Sequence, residues 1–187
     1  MKKYPTLGCC GLDCGLCPSY YTVGSSRCPG CCGKNFFNKH PSCSFITCCV
    51  KKRGLEVCAH CGEFPCKKFD NATEGPDFKT TSQKIMENQN YIQSSGITRF
   101  LEQQVERMKA LQVMLEFYND GRSKTFYCLA ATLLSLKSLQ AALTKAGQEI
   151  TNQSIRENDM KSKGKILKGI LHKFSQEENE VLKMRKK

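Results

Sequence analysis

The sequence predicts a small, irregular, metal-stabilised cysteine-rich module followed by an all-α bundle of three to four helices. Three observations predict this fold class. Thirteen of the 14 cysteines lie between Cys9 and Cys66, apolar residues at helical spacing are found mainly beyond residue 80, and the 40% hydrophobic content exceeds that of disordered chains. We therefore expect residues 1–70 to form the module, residues 71–79 a linker, and residues 80–187 the bundle.

The module is loop-like in composition. Residues 1–70 contain eight glycines and several prolines, and their apolar residues come singly or in pairs. Such a segment buries too little apolar surface to offset the entropy lost on ordering. We expect metal bonds to supply the missing stability, at about 10 kcal/mol or more for each structural zinc ion.

The cysteines are expected to bind metal rather than to form a disulfide framework. The opening sequence MKKYPTLG lacks the apolar stretch of a secretory signal, and no segment approaches the length of a membrane span. We therefore expect a cytoplasmic protein, in which a reducing environment leaves thiols available to metals. The odd number of clustered cysteines also fits poorly with complete pairing.

The candidate ligands form four short-spaced groups. A C-x2-C step places two thiolates within reach of one tetrahedral metal ion, and a neighbouring glycine lets backbone N–H groups turn toward the sulfurs. Four such groups in succession indicate metal binding much more strongly than any single pair. The predicted ligands are Cys10, Cys14, Cys17, Cys28, Cys31, His40, Cys43, Cys48, Cys58, Cys61 and Cys66.

Zinc is the favoured metal, with two to three ions. His40 stands where the spacing calls for a cysteine, and mixed cysteine and histidine ligands suit zinc. An iron–sulfur cluster is the alternative, because the spacing from Cys10 through Cys14 to Cys17 matches the cluster motif of radical S-adenosylmethionine enzymes. The barrel of those enzymes is not expected, since only helices follow. A looser thiol store for soft metals is a third interpretation.

Several nearby residues have open or minor roles. Asp13 is interpreted either as a group that orients a ligand or as a turn residue. His60 and His172 are expected at the surface, and Cys128 is expected to be a small core residue of a helix. The spacing leaves open which member is the ligand in three vicinal pairs, which are Cys9-Cys10, Cys31-Cys32 and Cys48-Cys49.

Helical periodicity predicts the second part. Ser95 is expected to cap one helix at its start and Gly147 to end another. In the second segment, one apolar face is expected to carry Ile97, Leu101, Val105, Met108, Leu111, Leu115 and Tyr118. The predicted helices cover approximately Gln83–Ile92, Ile97–Tyr118, Lys124–Ala146 and Lys165–Lys183.

The formal net charge of +12 suggests anionic partners, but less strongly than its size implies. Metal-bound thiolates would cancel much of it in the module. Residues 160–187 keep nine Lys and Arg against three Glu, a composition that could bind nucleic acid or an anionic membrane surface. The apolar stripe of that helix favours packing on the bundle, so nucleic-acid binding is not favoured. The common catalytic motifs are absent, and an unidentified protein partner is expected instead.

The stretch from Cys10 to Pro18, CGLDCGLCP, resembles a cysteine-rich bacterial and archaeal family known only as a domain of unknown function (family 3795). The resemblance covers roughly residues 8–146 and implies a multi-cysteine module without a settled activity. One departure is His40, where the family pattern implies cysteine, and it favours zinc. The further matching stretches are Cys28–Cys31, Gly54–Cys66, Gly96–Glu102 and Tyr118–Cys128.

Overall fold

The computed structural model describes residues 2–38, 40, 42–70, 77 and 79–185. Within these residues the chain is helical and loop-like, with an isolated antiparallel bridge between Leu7 and Asp13 in place of a strand. The predicted linker at 71–79 lies outside the described residues except for Asp77 and Lys79. The chain divides into an amino-terminal unit, Met1–Gln104 with Met184–Lys187, and a carboxy-terminal unit, Val105–Lys183.

Five α-helices confirm the helical character predicted beyond residue 80. The π-helix Ile46–Lys52 and several short 3-10 turns lie in the cysteine-rich segment. The α-helices are α1, Ile85–Ser95; α2, Ile97–Phe117; α3, Lys124–Leu133; α4, Leu136–Asn152; and α5, Met160–Glu177.

The third predicted helix is in fact two helices, α3 and α4. Leu134 is extended, and the Ser135 hydroxyl caps α4 by accepting the backbone N–H of Ser138 at 3.1 Å. The Glu178 carboxylate accepts the backbone N–H of Ser135 at 2.8 Å, which holds this break in place. Gly147 lies inside α4, so the prediction that it ends a helix was wrong.

The start and the face of α2 also differ from the prediction. Ser95 ends α1 rather than capping α2, and Gly96, with a φ of +88°, separates the two helices. The buried face of α2 is rotated relative to the predicted one. It carries Gln104, and the predicted core residue Val105 is 48% exposed. The buried positions of α2 include Phe100, Gln104, Ala110, Leu111 and Met114.

In the carboxy-terminal unit, α4 and α5 pack through their apolar stripes. Leu139 and Ala142 of α4 and Leu167 and Leu171 of α5 are fully buried. Cys128 in α3 is also fully buried, which confirms it as a core residue. The basic helix α5 therefore buries its apolar stripe against α4, in agreement with the predicted packing on the bundle.

The amino-terminal unit extends beyond the cysteine-rich segment because two glutamines tie α1 and α2 to it. The fully buried Gln89 amide donates to the carbonyl of Cys9 at 2.8 Å and accepts the backbone N–H of Ala59 at 2.6 Å. Gln104 donates to the carbonyl of Thr6 at 2.9 Å. The amino-terminal unit therefore continues through α1 to Gln104 in α2, whereas the predicted module ended at residue 70.

A search of the described helices finds none with both the length and the apolar character needed to cross a bilayer.

Candidate metal centre

Thiols form much of the core of the amino-terminal unit. All 14 cysteines have free side chains, with no disulfide among them. One buried cluster has eight members, of which five are cysteines, so this core depends on thiols more than on aliphatic side chains. Its members are Cys9, Cys31, Cys32, Cys49, Cys58, Ile46, Phe69 and Ile85.

Backbone contacts bring distant cysteines to this core. The backbone N–H of Cys58 donates to the carbonyl of Cys9 at 2.8 Å, and that of Cys31 donates to the carbonyl of Pro5 at 2.7 Å. Gly30 makes the second contact possible, because its φ is +83° and a Cβ atom there would lie 2.3 Å from the Pro5 oxygen. The loops therefore converge through main-chain pairing despite their lack of regular structure.

The inner group consists of Cys9, Cys31, Cys49 and Cys58. Thiol contacts connect Cys9 with Cys31 and Cys49, Cys32 with Cys31, and Cys58 with Cys49. The Cys49 thiol also donates to the carbonyl of Leu55 at 3.5 Å. The hydrogen bond from Cys9 lowers the pKa of Cys31 to about 6, and those from Cys58 and Cys9 lower the pKa of Cys49 to about 4. The pKa values of the donors Cys9 and Cys58 are raised.

A buried cation accompanies the inner group. The side chain of Lys2 is 1% exposed, and its Nζ lies 3.3 Å from Oε1 of Glu56. The charge of Lys2 also contributes to the lowered pKa values of Cys31 and Cys49, after their thiol hydrogen bonds. Burial opposes ionisation of Glu56, but the backbone N–H of Tyr4 at 2.8 Å and the charge of Lys2 keep the pKa of Glu56 below its usual value.

A second set, the amino-terminal group, contains Cys10, Cys14, Cys17 and Cys43. Burial raises the pKa of Cys10 to about 12, although a hydrogen bond from the backbone of Leu12 opposes the shift, and the charges of Cys31 and Cys43 add to it. Burial also raises the pKa of Cys14, with smaller contributions from the neighbouring thiols Cys31, Cys10 and Cys17. The Cys43 sulfur accepts the backbone N–H of Ile46 at 3.5 Å. Amide donors of this kind stabilise thiolates in metal sites.

The third set, the pocket group, contains Cys48, Cys61 and Cys66. With Cys49 and Cys58 they line a pocket of about 20 Å³, which has room for about one water-sized sphere. Arg53 forms an ion pair with Glu63 at 2.6 Å and also hydrogen-bonds to the Cys48 sulfur. The aromatic part of the lining consists of Phe45, Phe64 and Phe69.

Two predicted ligands lie outside these three groups. The His40 ring stacks on Phe36 with centroids 4.9 Å apart, and the backbone N–H of Cys28 donates to the carbonyl of Ser19 at 2.9 Å. Asp13 is buried and accepts the Gln104 side chain at 2.7 Å, so it belongs to a buried hydrogen-bond network.

The other two histidines have the predicted exposure. His60 and His172 are both exposed, although the His172 ring also contacts Phe126 with centroids 4.9 Å apart. Their prediction as surface residues is confirmed.

Sequence reasoning did not identify Lys2 or Gln89 as site residues, and it gave Cys9 and Cys49 no preference over their neighbours. Lys2 stands beside Lys3 in a charged segment and resembles a solvated residue. Gln89 lies in a helix of weak amphipathic character. For Cys9 and Cys49, the sequence signal was their place in vicinal cysteine pairs, because the side chains of two adjacent residues point in different directions.

Within the described part of the chain, no group of three or more His, Cys, Asp or Glu side chains has the geometry to hold a metal ion. The thiols are close together but are arranged as hydrogen-bonded partners. Comparison of the chain with protein-family models, curated proteins and solved structures gave no match. The family resemblance of the sequence therefore stays a prediction.

Proposed function

We propose that the protein is a cytoplasmic zinc-binding protein whose cysteine-rich unit serves an interaction or regulatory role with a protein partner. The observation that carries this proposal is the convergence of thiols from four chain segments into one buried core. The cationic side chains of Lys2 and Arg53 lie beside these thiols. Each of them is also paired with a carboxylate, Glu56 and Glu63 respectively. Cations so placed would offset part of the negative charge of metal–thiolate centres.

Zinc suits these donors for two reasons. Structural zinc sites use four ligands, mainly cysteine thiolates, in closed and buried positions. The inner, amino-terminal and pocket groups contain four, four and three cysteines, which matches two to three ions. Bound zinc would tie these loops together, and the chain's own contribution is to hold the sulfurs close and to place cations beside them.

An iron–sulfur protein with a redox or electron-transfer role is the second candidate, and the position of His40 favours it. Because that ring stacks on Phe36, the three groups contain only sulfur donors. Such all-thiolate sets are the usual ligands of iron–sulfur clusters. The aromatic lining of the pocket group would also limit solvent access to a cluster.

Anaerobic purification followed by elemental analysis separates these candidates. Zinc binding predicts a colourless protein with two to three zinc ions per chain, and the Cys128→Ala variant should have the same content because Cys128 lies in the other unit. A brown protein with absorbance at about 400 nm and stoichiometric iron and sulfide would replace the zinc proposal by its alternative. A chain without stoichiometric metal would refute both.

Exposed apolar side chains support a protein partner. Val23 is 92% exposed and Phe37 51% exposed in the amino-terminal unit, and Phe117 is 49% exposed at the end of α2. Single Val23→Ser, Phe37→Ser and Phe117→Ser variants of a tagged chain should identify the surface required for co-purification from the native cell. If none of them changes the co-purifying proteins, these surfaces do not bind the partner.

A further inference from the structure

We propose that a groove between α4 and α5 binds an acidic peptide segment of a protein partner, with Lys165 and Lys173 holding two of its carboxylates. This α4–α5 groove is lined by Glu149 and Gln153 of α4 and by Lys165, Gly169 and Lys173 of α5. It belongs to the carboxy-terminal unit, so its role does not depend on metal binding by the cysteine-rich segment.

The shape of the groove favours a peptide over a small molecule. Its volume is about 410 Å³, and Ile155, Ile166 and Ile170 form the apolar part of its lining. Small-molecule sites of about 300–1,000 Å³ enclose most of their ligand, whereas this groove stays open to solvent. An extended segment needs no such enclosure, because it lies along a surface and is held by alternate side chains.

Gly169 lies in the wall of the groove and is not required by packing. A Cβ atom added there would meet nothing within 4 Å, whereas one at Gly164 in the same helix would lie 2.7 Å from the carbonyl oxygen of Tyr118. Close packing therefore explains Gly164 but not Gly169. Glycine weakens a helix interior relative to alanine, so its presence favours a use outside the folded unit. The missing side chain leaves room for a bound segment.

Lys165 and Lys173 flank Gly169 on one face of α5. The three positions are spaced by four residues, and the two lysines are separated by about 12 Å along the helix axis. In an extended segment, side chains four positions apart point to the same side and lie about 13 Å apart. Two acidic residues at that spacing match the two ammonium groups, and the residue midway between them faces Gly169.

The two groove lysines differ from other lysines of α5 in their partners. Within the part of the chain that the structure describes, neither Lys165 nor Lys173 has an ion pair or a side-chain hydrogen bond. By contrast, Lys168 pairs with Asp120 at 3.2 Å, and Lys163 donates to a main-chain carbonyl at 2.8 Å. Carboxylates of a partner would therefore not have to displace internal ones.

Glu149 favours an acidic peptide over a nucleic acid. Nζ of Lys145 lies 4.8 Å from the ring centre of Phe174, and Gln153 lines the groove together with Ser162, so α4 and α5 run antiparallel. Glu149 lies midway between these two ends of the groove. A nucleic acid carries a phosphate at every nucleotide and would bring one toward this carboxylate. A peptide with a neutral residue between its two acids avoids that repulsion.

NMR titration of the ¹⁵N-labelled full chain tests the proposal at the weak affinity expected of a short segment. The probe is a glycine and serine peptide with two glutamates four positions apart and a valine midway. Amide signals around Gly169 should shift in a saturable manner, and the matched peptide with two glutamines should bind at least about fivefold more weakly. No saturable shift at millimolar peptide, or equal shifts with the glutamine peptide, would overturn the proposal.

Variants of the full chain locate the site. Lys165→Gln and Lys173→Gln should each weaken peptide binding about two- to fivefold, the range expected for one exposed ion pair. Lys161→Gln, at an exposed lysine outside the groove, should leave binding unchanged. Gly169→Leu should abolish binding without a change of charge, whereas Gly147→Leu, at another open glycine, should not.

The opposite outcomes are equally definite. An equal loss of binding in Lys161→Gln would reduce the effect to net charge and contradict a defined site. Tighter binding of a single-stranded oligonucleotide than of the peptide, with a steep dependence on salt, would replace the acidic peptide by nucleic acid. Circular dichroism at 222 nm checks that each variant keeps its helices.

Discussion

Removal of metal tests how the amino-terminal unit is stabilised. We expect chelation to unfold this unit while α3, α4 and α5 stay helical. A structural zinc ion contributes about 10 kcal/mol or more, whereas a whole domain is stable by only about 5–15 kcal/mol. Five of the eight residues in the larger of its two buried clusters are cysteines, and the apolar cluster of Leu7, Val57, Ala59, Ile92 and Phe100 is small. Loss of two to three ions, about 20 kcal/mol or more, would therefore exceed the net stability of the unit.

The expected change in circular dichroism follows from the helix lengths. The amino-terminal unit contains the 11 residues of α1 and the part of α2 up to Gln104. These segments make up at most about a quarter of the residues in the five α-helices. The π-helix Ile46–Lys52 of the same unit adds seven residues, so the helical signal at 222 nm should fall by about a third when metal is removed.

Limited proteolysis with trypsin, read by mass spectrometry, shows where the chain opens. Cleavage after chelation should spread through the segment that contains Lys2, Arg27 and Lys67, and added zinc should reverse it. Sites in α4 and α5, such as Lys145 and Lys168, act as internal controls. An unchanged cleavage pattern in a chain shown to be metal-free would refute metal-dependent folding of this unit.

Three further predictions concern single side chains, each measured by urea unfolding. Gln89→Leu should lower the free energy of unfolding of the amino-terminal unit by about 1 to 3 kcal/mol, because it leaves the backbone N–H of Ala59 unpaired and removes one of the two donors to the Cys9 carbonyl, whereas the exposed control Asn90→Leu should cost far less. An equal effect of both variants would contradict the role of the buried amide. Cys128→Ala should cost about 1 to 2 kcal/mol through a small cavity in the other unit and should leave the metal content unchanged, so a loss of metal would refute its role as a core residue. Glu178→Gln should destabilise the carboxy-terminal unit at neutral pH. The lowered pKa of Glu178 arises because hydrogen bonds from Ser135 outweigh burial, so the contribution is present above its usual pKa of 4.5 and is lost as the pH falls below it. The gap to wild type should close in acid, and the exposed Glu177→Gln control should show no such gap.

The helices could be predicted from apolar periodicity, but their ends could not. The run of leucines around Leu133 and Leu136 continues the helical pattern through Ser135, and the break depends on the distant carboxylate of Glu178. Gly147 was predicted to end a helix because glycine favours that position, yet packing against α5 keeps α4 helical beyond it. Local preference was overridden by tertiary contacts in both cases.

The cysteine groups could be predicted from their spacing, but their three-dimensional arrangement could not. Short spacing identifies sulfurs that can share an ion, whereas the inner group combines residues up to 49 positions apart, from Cys9 to Cys58. Gln89 and Gln104 resemble solvated helix residues in the sequence, and only the fold shows that loop carbonyls bury them. Polar residues that serve a loop core carry no periodic signal of their own.

The vicinal pairs have a further consequence for metal loading. Cys9 and Cys49 belong to the inner group, and Cys10 and Cys48 belong to two different outer groups, so in each pair one peptide bond connects two of the groups. A bound inner ion would fix these peptides and thereby reduce the ordering cost of each outer site. We therefore expect the ions to leave together in a chelator titration, with zinc release and loss of protease resistance at the same chelator concentration. Separate release steps at well-spaced concentrations would show that the three groups bind independently.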